Sequence, residues 1–284
     1  MRREGSRAKG LLRFALVAAL VVAGAAIAAA LLAEDEFSGD SRGAQIERFE
    51  LASKLLDQPL SQTIVRPAGG SEGRPLLVFL HGRGGEPDSS LSDELFVALR
   101  DLGDRAPAIA FVNGGDHSYY HDRDDGPWGR YVIEEALPAA LRHTGADPRR
   151  IAIGGVSMGG FGALDLAREH PDRFCAVGGH SPALWQTAGE TPDGAFDDAD
   201  DFASHDVMAA AATPDALGSE PIWLDGGDDD PFRSSTDTTA ATLRASGHDV
   251  RVRHWPGGHG SDYWNARMPV YLHFYTNALA RCGR

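Results

Sequence analysis

The chain has 284 residues, 42% of them hydrophobic, and a formal net charge of −14 at pH 7. That length can bury a full hydrophobic core, and it favours one large domain over two. No basic patch follows the first residues, and the acidic balance repels phosphate backbones, which argues against nucleic acid as a partner.

The N-terminal segment has the pattern of a targeting sequence. Residues 2–13 contain five arginines or lysines, and residues 14–33 contain no charge. At about 1.5 Å per residue, the uncharged run spans roughly the 30 Å hydrocarbon core of a bilayer, with its basic flank on the cytoplasmic side. We expect a signal-anchor or signal peptide over 1–33, a tether over 34–48 and an extracytoplasmic domain over 49–284. The length of the run favours an uncleaved membrane anchor, whereas Ala28-Ala29-Ala30 fits a cleavage site that would give a secreted protein.

Apolar runs of strand length recur through the domain, and each ends in glycine or a polar cluster. Because they are continuous rather than alternating, they are typical of parallel strands covered on both faces. In the last run, residues 250–253 alternate between valine and arginine, which indicates an edge strand with one solvent-facing side. The runs occupy residues 75–85, 108–116, 150–157, 175–184, 221–230 and 249–259.

Helical patterns lie between these strands, at residues 92–102, 131–143, 158–169 and 234–246. Strands and helices that alternate predict an α/β fold, with a mostly parallel central sheet, helices on both faces and sites at the C-terminal ends of the strands. Residues 187–220 are acidic and break this rhythm. They are interpreted as an inserted loop or cap over the site, or as an ordinary solvated loop.

The sequence Gly155-Val156-Ser157-Met158-Gly159 has the G-x-S-x-G pattern. In this pattern the serine occupies a strained turn between a strand and a helix, with its hydroxyl exposed above the sheet. The apolar run before the motif and the helical pattern after it supply that context. Ser157 is therefore the candidate nucleophile.

A serine hydroxyl needs a base to take its proton and a carboxylate to orient that base, in the chain order Ser, Asp or Glu, His for this fold. His259 follows the last strand in a glycine-bracketed turn and is the candidate base. Asp230 is the preferred acid over Asp225, Asp228 and Asp229, because a carboxylate several residues beyond a strand end can reach an imidazole on the next loop.

A tetrahedral intermediate formed on such a serine also needs two donors for its oxyanion. The amide after the nucleophile, on Met158, is one candidate, and the second is expected in the loop after an early strand. The segment HGRGG at residues 81–85 fits that place. The Arg83 amide is preferred there, with Gly82 as the alternative.

Five segments, HGRGG, FVNGGDHSYYHD, GGVSMGGFGALDLA, GGDDDPF and PGGHGSDYW, occur in that order. Together they resemble the putative-esterase branch of the α/β-hydrolase superfamily, which includes esterase D (S-formylglutathione hydrolase), feruloyl esterases and secreted mycolyltransferases. The resemblance implies an α/β-hydrolase fold without a metal or organic cofactor. It also implies Ser157 as nucleophile, Asp230 as acid and His259 as base, with an oxyanion hole formed by the amides of Arg83 and Met158.

The same resemblance implies a substrate cleft bordered by the segment that contains GGDHSYYHD. The residues expected to contact the substrate are His81, Gly82, Tyr119, Asp122 and Trp264.

These features predict a serine carboxylesterase that acts outside the cytoplasmic membrane on a small-molecule or envelope ester. The alternative is an acyltransferase of the cell envelope that uses the same triad. HGRGG and SMGG differ from the mycolyltransferase pattern, and an extracytoplasmic address disfavours formylglutathione, a cytosolic thioester. A binding protein without turnover predicts a damaged triad, whereas every part is present.

Two other groups of residues could carry a disulfide or a metal. Cys175 and Cys282 could form a disulfide in an oxidising compartment or could be two buried thiols, and the sequence leaves both open. A cluster of potential metal ligands matches no EF-hand or zinc spacing, so no metal is expected on it. The cluster comprises Asp116, His117, His121, Asp122, Asp124 and Asp125.

Overall fold

The computed structural model describes residues 37–214 and 216–282. The predicted signal segment, residues 1–33, lies outside the described residues. Within the described ranges, no helix has both the length and the apolar character needed to cross a membrane.

An eight-stranded sheet in the order β1-β2-β4-β3-β7-β8-β9-β10 forms the centre of the fold. From β4 to β10 in that order neighbouring strands are parallel, whereas β1 pairs antiparallel with β2, and β2 pairs antiparallel with β4. The prediction of a mostly parallel sheet is thus confirmed. The strands are β1 (Gln45–Ser53), β2 (Gln58–Arg66), β3 (Leu76–Leu80), β4 (Ala108–Val112), β5 (Asp122–Arg123), β6 (Gly126–Pro127), β7 (Ile151–Val156), β8 (Val177–His180), β9 (Ile222–Gly227) and β10 (Val250–Trp255), of which β5 and β6 form a separate ribbon.

The four predicted helices lie close to their expected positions. Ser92 caps the first of them by accepting a hydrogen bond from the Leu95 amide at 3.2 Å, as the preference for serine at this position explains. The helices are α1 (Asp93–Leu102), α2 (Trp128–Arg130, continued through a π-helical turn Tyr131–Ala136 into Leu137–Thr144), α3 (Met158–Glu169), α4 (Ala199–Ser204), α5 (Val207–Ala210), α6 (Arg233–Ala245) and α7 (Ser261–Leu279).

Helices cover both faces of the sheet. Because successive residues of a strand point to opposite sides, two neighbouring glycines of β7 show what packs on each face. A Cβ on Gly154 would lie 1.7 Å from the hydroxyl of Tyr275 in α7. A Cβ on the next residue, Gly155, would lie 2.5 Å from the backbone of Gly159 in α3. The two glycines therefore let α7 and α3 pack closely against opposite faces of β7. All residues of β3, β4 and β7 are buried, as their continuous apolar sequences predicted.

The N-terminal hairpin was not predicted, and it corrects one boundary. Strand β1 begins at Gln45, so the end of the range 34–48 assigned to a tether is part of the sheet. The sequence of β1 does not read as a buried strand because it contains polar residues. Those on its inner side are held by partners distant in the chain. Glu47, for example, accepts a hydrogen bond from His143 at 2.7 Å and pairs with Arg66.

The C-terminal helix α7 was also not predicted, because Pro269 lies within it. An interior proline costs about 3 kcal/mol of helix stability, and burial of several large side chains offsets that cost. Tyr271, Leu272 and Tyr275 have no exposed surface. After α7 the chain is joined to the loop before β8 by a disulfide between Cys175 and Cys282, which answers the question that the sequence left open.

The segment 187–220 connects β8 to β9 and folds into the short helices α4 and α5. Its apolar side chains Phe202, Val207 and Leu217 are buried. The guanidinium of Arg123 pairs with Asp197 at 2.8 Å and so ties this insert to the β5–β6 ribbon.

Candidate active site

Ser157 lies in the turn between β7 and α3, with φ 54° and ψ −115°. This conformation is strained for a residue with a side chain, and such strain is concentrated at functional sites. The turn is possible because Gly155 and Gly159, on either side of it, have no side chains. A Cβ on Gly159 would lie 2.1 Å from the carbonyl oxygen of Leu80. The backbone of Ser157 is held by the carbonyl of His180, which accepts its amide at 3.0 Å.

The loops that follow β9 and β10 lie against each other, and Gly227 makes this contact possible. A Cβ on Gly227 would lie 2.1 Å from the carbonyl oxygen of Gly257, and the same oxygen accepts the amide of Asp229 at 2.9 Å. This contact brings the loop that contains Asp230 beside the loop that contains His259.

Ser157, His259 and Asp230 form one continuous hydrogen-bonded chain. The hydroxyl of Ser157 lies 2.8 Å from Nε2 of His259, and Nδ1 of His259 lies 3.0 Å from Oδ2 of Asp230. The other oxygen of Asp230 accepts the Phe232 amide at 2.8 Å. The arrangement can move a proton from the hydroxyl to the imidazole while the carboxylate orients the ring.

Burial raises the pKa of Asp230, but the hydrogen bonds from His259 and from the Phe232 amide lower it further, so its net pKa lies below its ordinary value. The carboxylate is therefore ionised at neutral pH. It can stabilise an imidazolium on His259 without taking the proton itself.

A cavity of about 250 Å³ opens beside the Ser157 hydroxyl. Trp264 and Met268 of α7 provide apolar lining, and the ring of Trp264 stands edge-on to His259 with 5.2 Å between centroids. Asn265, Ser89 and Ser90 also line the cavity and were not anticipated. These three residues belong to no recognisable sequence motif, so the sequence gave no reason to expect them in the site.

Three backbone amides are candidates for the two donors of the oxyanion hole. Met158 is the first residue of α3, where amides have no partner within the helix. Gly82 and Arg83 both line the cavity, and a Cβ on Gly82 would lie 3.5 Å from the Cβ of Ser157. Over residues 37–214 and 216–282, the Arg83 amide donates to no acceptor. The Met158 side chain itself is buried in the core.

The residues predicted to contact the substrate are divided by the structure. Gly82 and Trp264 line the cavity, whereas His81, Tyr119 and Asp122 do not. Burial lowers the pKa of His81, whose Nε2 accepts the Gly114 amide at 3.0 Å and whose Nδ1 lies 2.8 Å from the Gly82 carbonyl. The His81 ring thus holds the loop together and has no nitrogen left for a substrate.

Tyr119 is buried, and burial raises its pKa to about 12. Its ring packs against Trp185 and Phe196, with centroid distances of 5.3 Å and 6.0 Å. Asp122 is exposed on β5 and accepts the Arg130 amide at 2.9 Å. Neither side chain lines the cavity: Tyr119 packs against other aromatic rings, and Asp122 holds the backbone of Arg130.

A second aspartate–histidine pair was missed by the sequence analysis. Asp225 in β9 and His180 in β8 are fully buried and lie 2.7 Å apart. Asp225 also accepts hydrogen bonds from side chains of β9 and α7, namely Trp223 at 2.9 Å, Tyr263 at 3.1 Å and Tyr271 at 2.7 Å. Because these donors are scattered over the chain, no local pattern signals the network.

Two groups of side chains have ligand atoms close enough to hold a metal ion, within the part of the chain that the structure describes. One comprises His121, Asp201 and His205, and the other comprises Asp165, Glu169 and His205. None of these residues lines the cavity beside Ser157.

A mostly parallel sheet, a strained serine at the end of β7, and an imidazole and a carboxylate on the loops after β10 and β9 define an α/β-hydrolase. Residues 53–275 match the family model described as "Putative esterase". The chain belongs to this family, and the resemblance read from its motifs is confirmed. The family is one of esterases, which is the enzyme class that the sequence predicted.

Known proteins of related sequence and structure agree with this assignment. The chain is 31% identical over 201 residues to "Putative esterase NocK" of Nocardia uniformis subsp. tsuyamanensis, a match that covers 64% of this chain and 54% of that protein. The chain thus spans about half of that relative's length.

Two solved structures illustrate the shared fold. A ferulic acid esterase superposes with a TM-score of 0.72 at 22% identity, over 83% of this chain and 99% of its own. MPT51 (FbpC1) of Mycobacterium tuberculosis superposes with a TM-score of 0.63 at 18% identity, over the same 83% of this chain and 99% of its own. At these identities the similarity shows the fold alone.

Proposed function

We propose that the protein hydrolyses carboxylic esters through an acyl-enzyme on Ser157. The observation that carries this proposal is the hydrogen-bonded chain from Ser157 through His259 to Asp230, at 2.8 Å and 3.0 Å. Membership of the esterase family supports the reaction class.

In the first half of the reaction the Ser157 oxygen attacks the ester carbonyl while Nε2 of His259 takes the hydroxyl proton. The carbonyl π electrons move to the oxygen, and the amides of Met158 and of Arg83 or Gly82 stabilise the negative charge. When the carbonyl re-forms, the bond to the alcohol breaks and His259 gives its proton to the departing alkoxide. An acyl group remains on Ser157.

In the second half His259 takes a proton from water, and the resulting hydroxide attacks the acyl group. The tetrahedral intermediate collapses, the bond to Ser157 breaks and the serine oxygen recovers its proton from His259. The products are a carboxylic acid and the free enzyme. If an acceptor alcohol replaces water in this step, the same residues perform acyl transfer, the alternative that the sequence raised.

The cavity favours small esters. Its volume of about 250 Å³ lies below the range of about 300–1,000 Å³ typical of pockets for drug-sized ligands. Trp264 and Met268 offer apolar contact to a short acyl chain. We expect higher kcat/KM for p-nitrophenyl acetate or butyrate than for long-chain esters.

The proposed place of action is outside the cytoplasmic membrane. Residues 1–33 have the signal-anchor pattern, and the disulfide between Cys175 and Cys282 is typical of proteins in oxidising compartments. Fractionation of cells that express the full chain, with protease access from outside, tests this. Digestion of the domain only after lysis would contradict it.

The Ser157→Ala variant tests the reaction. We expect kcat for p-nitrophenyl butyrate to fall by about 10⁵–10⁶-fold, with loss of labelling by a fluorophosphonate probe. Ser234→Ala is the matched control, because Ser234 is exposed at the start of α6, and it should label and turn over as the parent does. Labelling of Ser157→Ala at the parent rate would assign the nucleophile elsewhere.

Product analysis separates hydrolysis from acyl transfer. With p-nitrophenyl butyrate and a series of alcohols, a hydrolase releases butyric acid as its main product at millimolar acceptor concentrations. A dominant butyrate ester of one alcohol under the same conditions would favour the transferase alternative.

A further inference from the structure

His121, Asp201 and His205 lie outside the cleft and come from two separate parts of the chain. His121 belongs to the loop before β5, whereas Asp201 and His205 belong to α4 and its C-terminal end in the insert 187–220. Nε2 of His121 lies 3.2 Å from Oδ2 of Asp201, and Nε2 of His205 lies 3.7 Å from Oδ1 of the same carboxylate. The two imidazole rings are 4.4 Å apart at their centroids.

This spacing is close to that of a metal site. One ligand atom from each of the three residues lies within 4.8 Å of the others. Zinc bonds of about 2.0–2.1 Å to nitrogen and oxygen place neighbouring tetrahedral ligand atoms about 3.4 Å apart. A small contraction of the group would therefore meet the geometry, and two imidazoles with one carboxylate are ligands that zinc accepts, with water in the fourth position.

His205 is oriented as a metal ligand is. Its Nδ1 lies 2.7 Å from Oδ2 of Asp165, a buried carboxylate of α3, and Asp165 is itself held by the guanidinium of Arg168 at 2.7 Å. A hydrogen bond from Nδ1 to a carboxylate fixes the ring and presents Nε2 with a free lone pair. That nitrogen faces Asp201.

The His121 ring is buried and has few polar contacts. Its side chain has no exposed surface, and its Nδ1 has no hydrogen-bond partner among the described residues. Burying a ring nitrogen without a partner costs free energy, and the single contact with Asp201 does not remove that cost. A metal bond at Nε2 would leave Nδ1 unpaired, but it would replace the hydrogen bond of this buried ring by a stronger interaction at the nitrogen that faces Asp201.

We propose that His121, Asp201 and His205 bind one zinc ion, with Asp165 as the residue that positions His205. The ion would join the insert 187–220 to the loop before β5. Phe196 of the insert stacks on His121 with 4.9 Å between centroids and lies 6.0 Å from Tyr119. The site thus stiffens the protein beside the cleft and takes no part in the ester chemistry.

The test uses the tag-free protein after treatment with a chelator, titrated with zinc in a calorimeter. We expect one zinc per chain for the parent and for Ser157→Ala, and a loss of affinity of at least about 100-fold for His205→Gln. Asp165→Asn should lose about 10–100-fold, the usual effect of removing the partner of a metal-bound histidine.

His254→Gln is the matched control, since His254 also pairs with a carboxylate, Asp237 at 2.7 Å, and it should bind zinc as the parent does. Circular dichroism checks the fold of each variant, and Asp201→Asn, an isosteric change, replaces any variant that fails to fold. Equal zinc binding by the parent and by these ligand variants, or no binding by the parent, would overturn the proposal. Retention of zinc by Ser157→Ala keeps the result independent of the proposed hydrolysis.

A second readout is the visible spectrum of the cobalt-substituted protein. A site with two imidazoles and few ligands should give intense d–d bands in the parent and in His254→Gln. These bands should be absent from His205→Gln. Weak bands typical of hexahydrated cobalt in the parent would count against the site.

Discussion

Two aspartate–histidine pairs are built on neighbouring strands of the same sheet, and they differ in what surrounds them. In the pair of Asp230 and His259, the far nitrogen of the imidazole faces the Ser157 hydroxyl, and the side chain of His259 is 21% exposed. In the pair of Asp225 and His180, that nitrogen faces the Tyr275 hydroxyl at 2.8 Å, and neither side chain is exposed.

The contrast shows that a short contact between carboxylate and imidazole does not make a reactive site. Asp225 lies within β9, so its carboxylate points into packed side chains and is held by four donors, three of them on other elements. Asp230 lies beyond the end of β9, where the loop can meet the loop of His259. Position relative to the strand end separates a carboxylate that holds helix α7 from one that pairs with the imidazole beside the cleft.

Among variants that test the difference between the two pairs, Asp230→Asn is expected to have the largest effect, a loss of kcat. Removing the charge behind His259 should lower kcat for p-nitrophenyl butyrate by about 10⁴-fold, because the asparagine favours the wrong imidazole tautomer. The urea midpoint should change little, since the amide fills the same space. A kcat within 10-fold of the parent's would exclude Asp230 as the orienting acid.

The next effect is expected from Asp225→Asn, which breaks the buried pair. Donors that now face an amide group lose their acceptor, and the free energy of unfolding should fall by about 3–5 kcal/mol, measured by urea denaturation. For the folded fraction, kcat should stay within about 10-fold of the parent's. Asp237→Asn, at an exposed carboxylate paired with His254, is the control and should cost less than about 1 kcal/mol.

Glu220 extends the comparison to a buried carboxyl group with fewer donors, since its Oε1 has no hydrogen-bond partner in the part of the chain that the structure describes. Burial, together with the nearby Asp172, raises its pKa to about 7 from the ordinary 4.5. The folded state therefore prefers the neutral acid. Its contribution to stability is fully present below about pH 4.5, falls as the pH rises through 7, and is constant above that.

Replacing the Glu220 carboxyl group by an amide should remove its contribution to the pH dependence of the free energy of unfolding. At pH 8, Glu220→Gln should be more stable than the parent by about 1–3 kcal/mol, and at pH 4.5 the two should be nearly equal. Urea titrations at the two pH values give the difference. A greater advantage of Glu220→Gln at pH 4.5 than at pH 8 would show that the pKa is not raised.

The smallest effect is expected from Asp228→Asn. Asp228 is exposed and pairs with Arg233 at 3.0 Å, so it belongs to the solvated turn rather than to the pair with His259. We expect kcat to change by less than about 2-fold, as a surface ion pair is worth at most about 1 kcal/mol. A loss as large as that of Asp230→Asn would transfer the role of the acid to this residue.

Much of the fold was readable from the sequence because it rests on local patterns. The continuous apolar runs gave the buried parallel strands, and the predicted helix over 158–169 has the observed bounds. The motif around Ser157 worked because glycine spacing records close backbone approaches, which are a local property. Asp230 and His259 were found by their position after strands. In the structure His259 lies within hydrogen-bond distance of both Ser157 and Asp230.

What the sequence missed depends on contacts between distant segments. Strand β1 and helix α7 are stabilised by partners elsewhere in the chain, which override the polar residues of one and the proline of the other. The sequence also did not show that His81 and Tyr119, two of the residues expected to contact a substrate, are buried and lie outside the cavity lining. Burial is decided by neighbours that a motif does not specify.

By itself, therefore, the sequence determined the order of the buried parallel strands and of the helices between them, the strained serine turn and the family, since each of these follows from short-range periodicity and from glycines at fixed spacing. The tertiary structure alone decided the buried pair of Asp225 and His180, which side chains keep contact with water and how the cleft is lined. The physical reason is that hydrogen bonding and burial act over a few ångströms in space, and the fold brings together residues such as Asp225 and His180 that lie far apart along the chain.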